Sequence, residues 1–260
     1  YAVRMRRFSQ EALLSRLAES RDLPIAIAEA LAVQVADFHA RAARAAADSA
    51  FVAPEAALFP VMENFEQIGP LITEPGPAAQ LDRLQEWCRD QYTLLRDGLT
   101  KRGKAGWVRE CHGDMHLGNM ALIDGEVVIF DGIEFNERMR WTDVLGDVGF
   151  LAMDLDDRGL PAHAHRFLNS WFEHTGDVTA LPLLDFYRVY RALVRAKIAA
   201  LRLSQPLSAD ERGEVLAEYH GYTDLAERYT RPRQALLCIT HGLSGSGKSR
   251  LARRLVDEHG

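Results

Sequence analysis

Residues 112–119 read HGDMHLGN, which sets two histidines, an aspartate and an asparagine among two glycines. Three chemistries fit such a run. A metal cage would use His112 and His116, spaced so that both imidazoles share one helix face. Gly113 and Gly118 oppose a helix there, however, and no Glu follows His112 as zincin chemistry requires. A turn whose polar groups cap one another locally is the second possibility. The third is phosphoryl transfer. Asp114 precedes Asn119 by five positions, a hairpin pattern follows (MALI, then DG, then EVVIFD), and Asp131 stands at its far end. Transfer from ATP requires a carboxylate that orients or accepts the proton of the attacking hydroxyl. It also requires an amide and a carboxylate that hold Mg²⁺ against the phosphates. Mg²⁺ takes hard oxygen ligands, and one or two carboxylates plus substrate phosphate suffice. A loop followed by a hairpin returns the exit strand to the side of the loop, so Asp114, Asn119 and Asp131 can converge.

HGDMHLGN followed by VVIFDGIEF resembles the catalytic and metal-binding segments of the aminoglycoside phosphotransferase family, which has a protein-kinase-like fold. The resemblance runs over roughly residues 1–228 and is strongest over 107–157. It implies that Asp114 is the catalytic base and that Asn119 and Asp131 are the Mg²⁺ ligands. His112 and His116 then occupy the positions that brace the loop. It also gives meaning to YAVR at the start, which resembles the strand whose lysine clamps the ATP α and β phosphates. Arg4 stands at that position, with Glu11 or Glu19 as its ion-pair partner; an ordinary surface arginine on an edge strand is the alternative. The segment NERMRWTDVLGDVGFLAMDLDD resembles the stretch after the family's metal aspartate. Asp147 reads there as a helix-capping acid, and Asp143 as either a cap or a brace for the loop. Arg188, Arg191 and Arg195 read as a solvated or ion-paired helix face rather than a phosphate contact.

A second phosphate motif lies at 242–249, GLSGSGKS, which matches G-x-x-x-x-G-K-[ST] in full. An apolar strand pattern, ALLCITHG, precedes it and a helical pattern follows. In such a loop Gly242, Gly245 and Gly247 free backbone N–H groups for phosphates, Lys248 reaches the β and γ phosphates, and Ser249 binds Mg²⁺. A P-loop strand also needs parallel neighbours and an Asp from another strand, so this part is not expected to work in isolation. A phosphotransferase-like domain followed by a P-loop kinase-like domain resembles a group of bacterial two-domain proteins.

The elements that must position these residues follow from periodicity. Residues 1–8 read as a strand and 9–20 as a short helix. Asp22 and Pro24 open a helix carrying Ile27, Leu31, Val35 and Phe38, which the Ala/Arg run at 40–47 extends. Five prolines make 51–78 a loop-rich connector. Leu81, Leu84, Cys88, Tyr92 and Leu95 mark a long helix, and GWVREC a short strand. Asp124-Gly125 is a hairpin turn. Helices follow over 143–156, 161–174, 181–203 and 209–229, with Leu184, Tyr187, Val194, Ile198 and Leu201 as the buried stripe of the third. The expected fold is α+β and protein-kinase-like. It has a mostly helical C-lobe over 1–229 with an incomplete N-lobe, then the beginning of an α/β P-loop domain over 230–260.

Bulk properties narrow the classes. The chain has 260 residues, 47% hydrophobic, with a net charge of −6. That balance argues against a nucleic-acid partner. Three dispersed cysteines fit a reducing compartment, and neither a membrane span nor a leader pattern is visible. A cytoplasmic setting is therefore expected. The strand-like opening without Met suggests a window of a longer polypeptide. The reading is an ATP- and Mg²⁺-dependent phosphotransferase acting on a hydroxyl of a small polar molecule. A nucleotide-binding regulatory module without transfer activity, motivated by Arg4, is one alternative. A scaffold for an active P-loop domain is another.

Overall fold

The computed structural model describes residues 8–232 and 238–259. The expected opening strand with Arg4 lies outside the described residues, as does 233–237.

The described chain is dominated by helices. In order they are α1 (Leu14–Glu19), α2 (Ala26–Arg41), α3 (Glu55–Ile68), α4 (Pro75–Lys104), α5 (Glu137–Arg140), α6 (Leu145–Asp157), α7 (Pro161–Thr175), α8 (Leu181–Arg202), α9 (Ala209–Thr230) and α10 (Lys248–His259). Four short strands fall between α4 and α6: β1 (Val108–Glu110), β2 (Met120–Ile123), β3 (Glu126–Ile129) and β4 (Trp141–Asp143). They form two antiparallel pairs, β1 with β4 and β2 with β3. Asp124 and Gly125 both take positive φ, 53° and 85°, as a two-residue hairpin turn requires.

Helix α6 is the centre of the core. Every residue from Leu145 to Leu155 is buried, the mark of a helix covered on all sides. Helices α7 and α8 pack against it, and α9 covers α8. A capping box at Ser208 and Glu211 starts α9. The hairpin is tied to the helices by a Leu13–Ala121 bridge and by Gln34 Nε2, which donates to Val127 O at 2.6 Å.

Several expectations fail for identifiable reasons. The helix from Ala26 stops at Arg41 rather than running to 47. Residues 43–45 are extended beside β1, where Ala45 N donates to Val108 O at 3.0 Å and Glu110 N to Ala43 O at 2.8 Å. A free strand edge outcompetes the helix propensity of alanine. The connector at 51–78 contains the 14-residue helix α3. Its prolines sit where they cost little: Pro54 is the N-cap of α3, and Pro75 and Pro77 lie in the first turn of α4, whose N–H groups are orphans in any case. Only Pro60 is interior to a helix. In α8, Leu184, Tyr187 and Val194 are buried, but Ile198 and Leu201 are each 43% exposed.

The arginine stripe of α8 is not a solvated face. Arg188 is 3% exposed and pairs with Asp156 and Asp185. Arg191 is 1% exposed, and Arg195 donates to Tyr222 Oη at 3.3 Å. Cys88 and Cys111 are buried and unpaired, whereas Cys238 is exposed. No described helix is long and apolar enough to cross a membrane. The described part of the strand expected before the glycine motif, 238–242, is irregular, and no strand lies beside it among the described residues.

Candidate active site

The loop at 112–119 leaves β1 and enters β2 through a single turn of 3₁₀ helix at Leu117–Asn119. Its geometry is set by hydrogen bonds among its own side chains. Asn119 Nδ2 donates both to the Asp114 carbonyl and to Asp114 Oδ2, at 3.0 Å each. His116 Nδ1 accepts the Gly118 N–H at 3.0 Å, so its proton resides on Nε2, which stands 3.3 Å from Asp114 Oδ2. His112 follows the same logic. Nδ1 accepts the Asp114 N–H at 3.3 Å, and Nε2 donates to the Phe130 carbonyl at 2.9 Å. Each tautomer is thus fixed by a backbone amide. Gly113 has a φ of 82°, and a Cβ there would fall 2.8 Å from Met139 O, so no other residue fits.

The loop is gripped from below by the helices. Asp147, fully buried, accepts the His112 N–H at 2.8 Å and the Gly113 N–H at 2.9 Å. His39 Nε2 stands 3.1 Å from the same carboxylate. Arg191 donates to Gly146 O and Gly113 O, both at 2.9 Å. Asp154 accepts the Leu117 N–H at 2.8 Å. Asp147 is therefore a brace for the loop and not merely a cap of α6. Asp143 does two things: it accepts the Leu145 N–H at 2.9 Å, and it takes both ends of the buried Arg102 guanidinium, at 2.7 and 2.9 Å. Arg102 also reaches Asp177 at 2.7 Å.

These contacts decide ionisation. Burial pushes the Asp114 carboxyl up, but the His116 and Asn119 hydrogen bonds and the Arg191 charge outweigh it. The group therefore lies below its ordinary value. Asp147 behaves alike: complete burial is overcome by His39, Arg191 and His112.

Asp131 follows the hairpin. Phe130 N donates to Asn119 O at 3.0 Å, which brings the exit of β3 against the end of the loop, one residue from Asp131. Asp131 is exposed, has a φ of 62°, and makes no hydrogen bond or ion pair among the described residues. Asn119 Oδ1 is likewise without a protein partner. The loop therefore presents hard oxygens with spare lone pairs, the donor type that suits Mg²⁺. Arg4 lies outside the described residues. Of its two candidate partners, Glu19 bonds Arg16 at 2.8 Å and lies 3.6 Å from Arg158, while the Glu11 N–H donates to Ser9 Oγ at 3.3 Å and its carboxylate has no partner among the described residues.

At the second motif, Gly242, Gly245 and Gly247 have φ values of 151°, 80° and 86°. Lys248 opens α10, and its Nζ donates to Gly242 O at 2.8 Å and to Leu243 O at 2.6 Å. Ser249 follows in the first turn and makes no side-chain hydrogen bond among the described residues. Helix α10 docks on α7, where Arg166 Nε donates to Asp257 Oδ1 at 2.7 Å.

His39, Asp154 and Arg102 belong to no motif in the sequence, and Arg191 is buried on backbone carbonyls rather than on a solvated or ion-paired face. Arg191 carries one signal: it occurs every third or fourth residue with Tyr187 and Val194, inside an apolar face. His39 and Asp154 carry none without the fold.

No protein-family profile matches the chain. The chain is 32% identical over 169 residues to an uncharacterized protein of Mycobacterium bovis and equally to two uncharacterized proteins of Mycobacterium tuberculosis. That match covers 65% of this chain but spans only 33% of the relatives' length. Among solved structures, the fold is similar to that of glucosamine kinase. One crystal form aligns with a TM-score of 0.58 at 18% identity, over 83% of this chain and 55% of the other. A second gives 0.56 at 17% identity, over 84% and 59%. A complex of that kinase with glucosamine, ADP and inorganic phosphate gives 0.52 at 18% identity, over 83% and 55%. The described architecture is thus α+β, with a fold similar to that of glucosamine kinase.

Proposed function

We propose that this chain is a phosphotransferase that moves the γ-phosphoryl group of ATP to a hydroxyl of a small polar molecule, in a cytoplasmic setting. The observation that carries the reading is the Asp114–Asn119 contact beside the returning β3 strand, with oxygens of Asn119 and Asp131 left free. Bound Mg²⁺ would supply charge neutralisation at the phosphates, and Asn119 Oδ1 and Asp131 are the residues to hold it. Asp114 receives the hydroxyl. Its carboxylate stays ionised because His116 and Asn119 favour the charged form. A weakly basic carboxylate suits a loose transition state, in which the hydroxyl proton leaves late and orientation matters most. His112 and His116 hold Asp114 in place through the loop. Arg4 is the proposed phosphate clamp. The similarity of fold to a glucosamine kinase makes amino sugars the first substrates to try, while fold alone does not fix substrate identity.

A second reading rests on the Gly242–Ser249 loop, whose Lys248 begins a 12-residue helix. There ATP would bind the P-loop domain, and the larger domain would serve as its scaffold.

The test is ADP release across sugars, amino sugars and amino alcohols, with wild type and Asp114→Asn side by side. Wild-type turnover on one class, reduced by a factor on the order of 10² or more in the variant, is expected. Equal rates would dismiss Asp114 as the base.

A further inference from the structure

His39 of α2, Cys111 just after β1 and Asp147 of α6 meet beneath the loop that carries Asp114. Their donor atoms all lie within 4.8 Å of one another, and all three residues are buried. His39 Nε2 stands 3.1 Å from Asp147 Oδ2. The Cys111 thiol has one weak partner, the Thr142 carbonyl, at 3.4 Å. The three donors come from separate elements, so their convergence is a product of the fold and not of a local motif. Neither His112 nor His116 takes part.

The donor set selects its cation. A thiolate, an imidazole and a carboxylate together suit Zn²⁺, which takes sulfur, nitrogen and oxygen, whereas Mg²⁺ takes oxygen. Tetrahedral zinc, with bonds of about 2.0–2.3 Å, holds its ligand atoms roughly 3.3–3.8 Å apart, so movements on the order of 1 Å close this cluster on an ion. Thr142 O offers a fourth oxygen at the Cys111 sulfur. Protons balance as well. Zinc deprotonates a coordinating thiol outright, so one proton leaves Cys111. Nothing bonds His39 Nδ1, so the imidazole proton can sit there and give the Nε2 lone pair to the metal. A dication with one thiolate, one carboxylate and a neutral imidazole carries no net charge, as a buried position requires. Asp147 Oδ2 then exchanges the His39 N–H for the metal and keeps the His112 N–H. His39 lines a cavity of about 290 Å³ and Cys111 another of about 550 Å³, which leaves open space next to two of the three residues. We infer that His39, Cys111 and Asp147 form a zinc site that pins α2, the start of the loop and α6 together. The inference does not depend on the phosphotransferase reading, because it uses none of Asp114, Asn119 and Asp131.

The experiment uses the full chain, freed of metal by a chelator, with the exposed thiol removed by Cys238→Ser. Cobalt(II), a coloured stand-in for zinc, is the probe. It is added both to the folded chain and during refolding from urea, so that a closed entry path does not mask the site. Binding of about one equivalent is expected, with an intense near-ultraviolet band from thiolate-to-cobalt charge transfer. Zinc should bleach that band and excess magnesium should not. Adding Cys111→Ser should remove the band. His39→Gln should weaken zinc by more than about a hundredfold, since even outer-sphere partners of a metal are worth 10–100-fold. A second readout needs no change at the cluster: zinc should raise the melting temperature of the Cys238→Ser chain, as a ligand of the folded state does. No sulfur band under either condition, a band that survives Cys111→Ser, unchanged zinc affinity in His39→Gln, or a melting temperature indifferent to zinc each overturns the site.

Discussion

Asp147 and Gly113 are 34 positions apart in sequence and meet at 2.9 Å, the carboxylate of a core helix accepting the amide of the loop that carries Asp114. The same carboxylate holds the neighbouring His112 amide at 2.8 Å. Loop geometry is thus held by α6 as well as by the loop's own side chains.

Replacing Asp147 by Asn removes one acceptor oxygen and turns an NH₂ group toward a backbone N–H. The loss expected is about 1–3 kcal/mol, the cost of one buried donor left unsatisfied. The pH dependence has a definite sign. The folded-state pKa of Asp147 is depressed, so its contribution is present above the ordinary carboxylate value of about 3.9. It fades as pH falls through the lower folded value. The gap between the melting curves of wild type and Asp147→Asn should therefore hold near neutrality and narrow as pH falls below about 4. A gap that widens on acidification contradicts the assignment.

Asp131 separates folding from metal binding. Its φ of 62° suits Asn nearly as well as Asp but strains Ala. Asp131→Asn is expected to melt within about 1 °C of wild type, since surface changes are usually small. Its Mg²⁺ requirement should rise at least about tenfold, as loss of a charged ligand implies. Asp131→Ala should lose both, with destabilisation on the order of 1 kcal/mol. An unaltered Mg²⁺ dependence of ADP release in Asp131→Asn removes this residue from the metal site.

Arg102 is the shared partner of two buried acids, Asp143 and Asp177. Arg102→Ala leaves both without their cation. Destabilisation of about 3–5 kcal/mol is expected, the usual result of breaking a buried ion pair from one side. Asp143 also starts α6 and ends β4, so the loop brace should loosen with it. Chemical denaturation gives the number, and a change under about 1 kcal/mol would show that water reaches the cluster.

Lys248→Ala and Asp114→Asn, each assayed for ATP consumption, decide between the two phosphate motifs. The proposal expects Asp114→Asn to abolish most of it. Lys248→Ala should leave that activity within a factor of about two, because its two hydrogen bonds are local and exposed. The reverse pattern assigns the chemistry to the P-loop.

Local sequence rules read much of this fold. The hairpin at Asp124-Gly125 and the helices α4 and α6 to α9 all follow from period and turn chemistry. The loop around Asp114 was visible as a motif because its self-caps are short-range: His116 to Gly118, and Asn119 to Asp114. What supports it was not visible, because His39, Asp154 and Arg191 act across long sequence separations. A buried arginine on backbone carbonyls has the same local pattern as one on a wet helix face. Helix α3 is hidden by Pro54, which starts it, and by Pro60 in its interior, both of which look locally like breaks. Residues 43–45 turned extended only because β1 offers an edge, a tertiary fact.

The placement of the three thiols makes conjugation chemistry selective without protein engineering. Burial suppresses ionisation of Cys88 and Cys111, while Cys238 is exposed four positions before Gly242. A maleimide dye added near neutrality would mark one address in the native chain, next to the glycine-rich loop. Its emission could then follow nucleotide addition in real time against an unlabelled, intact core.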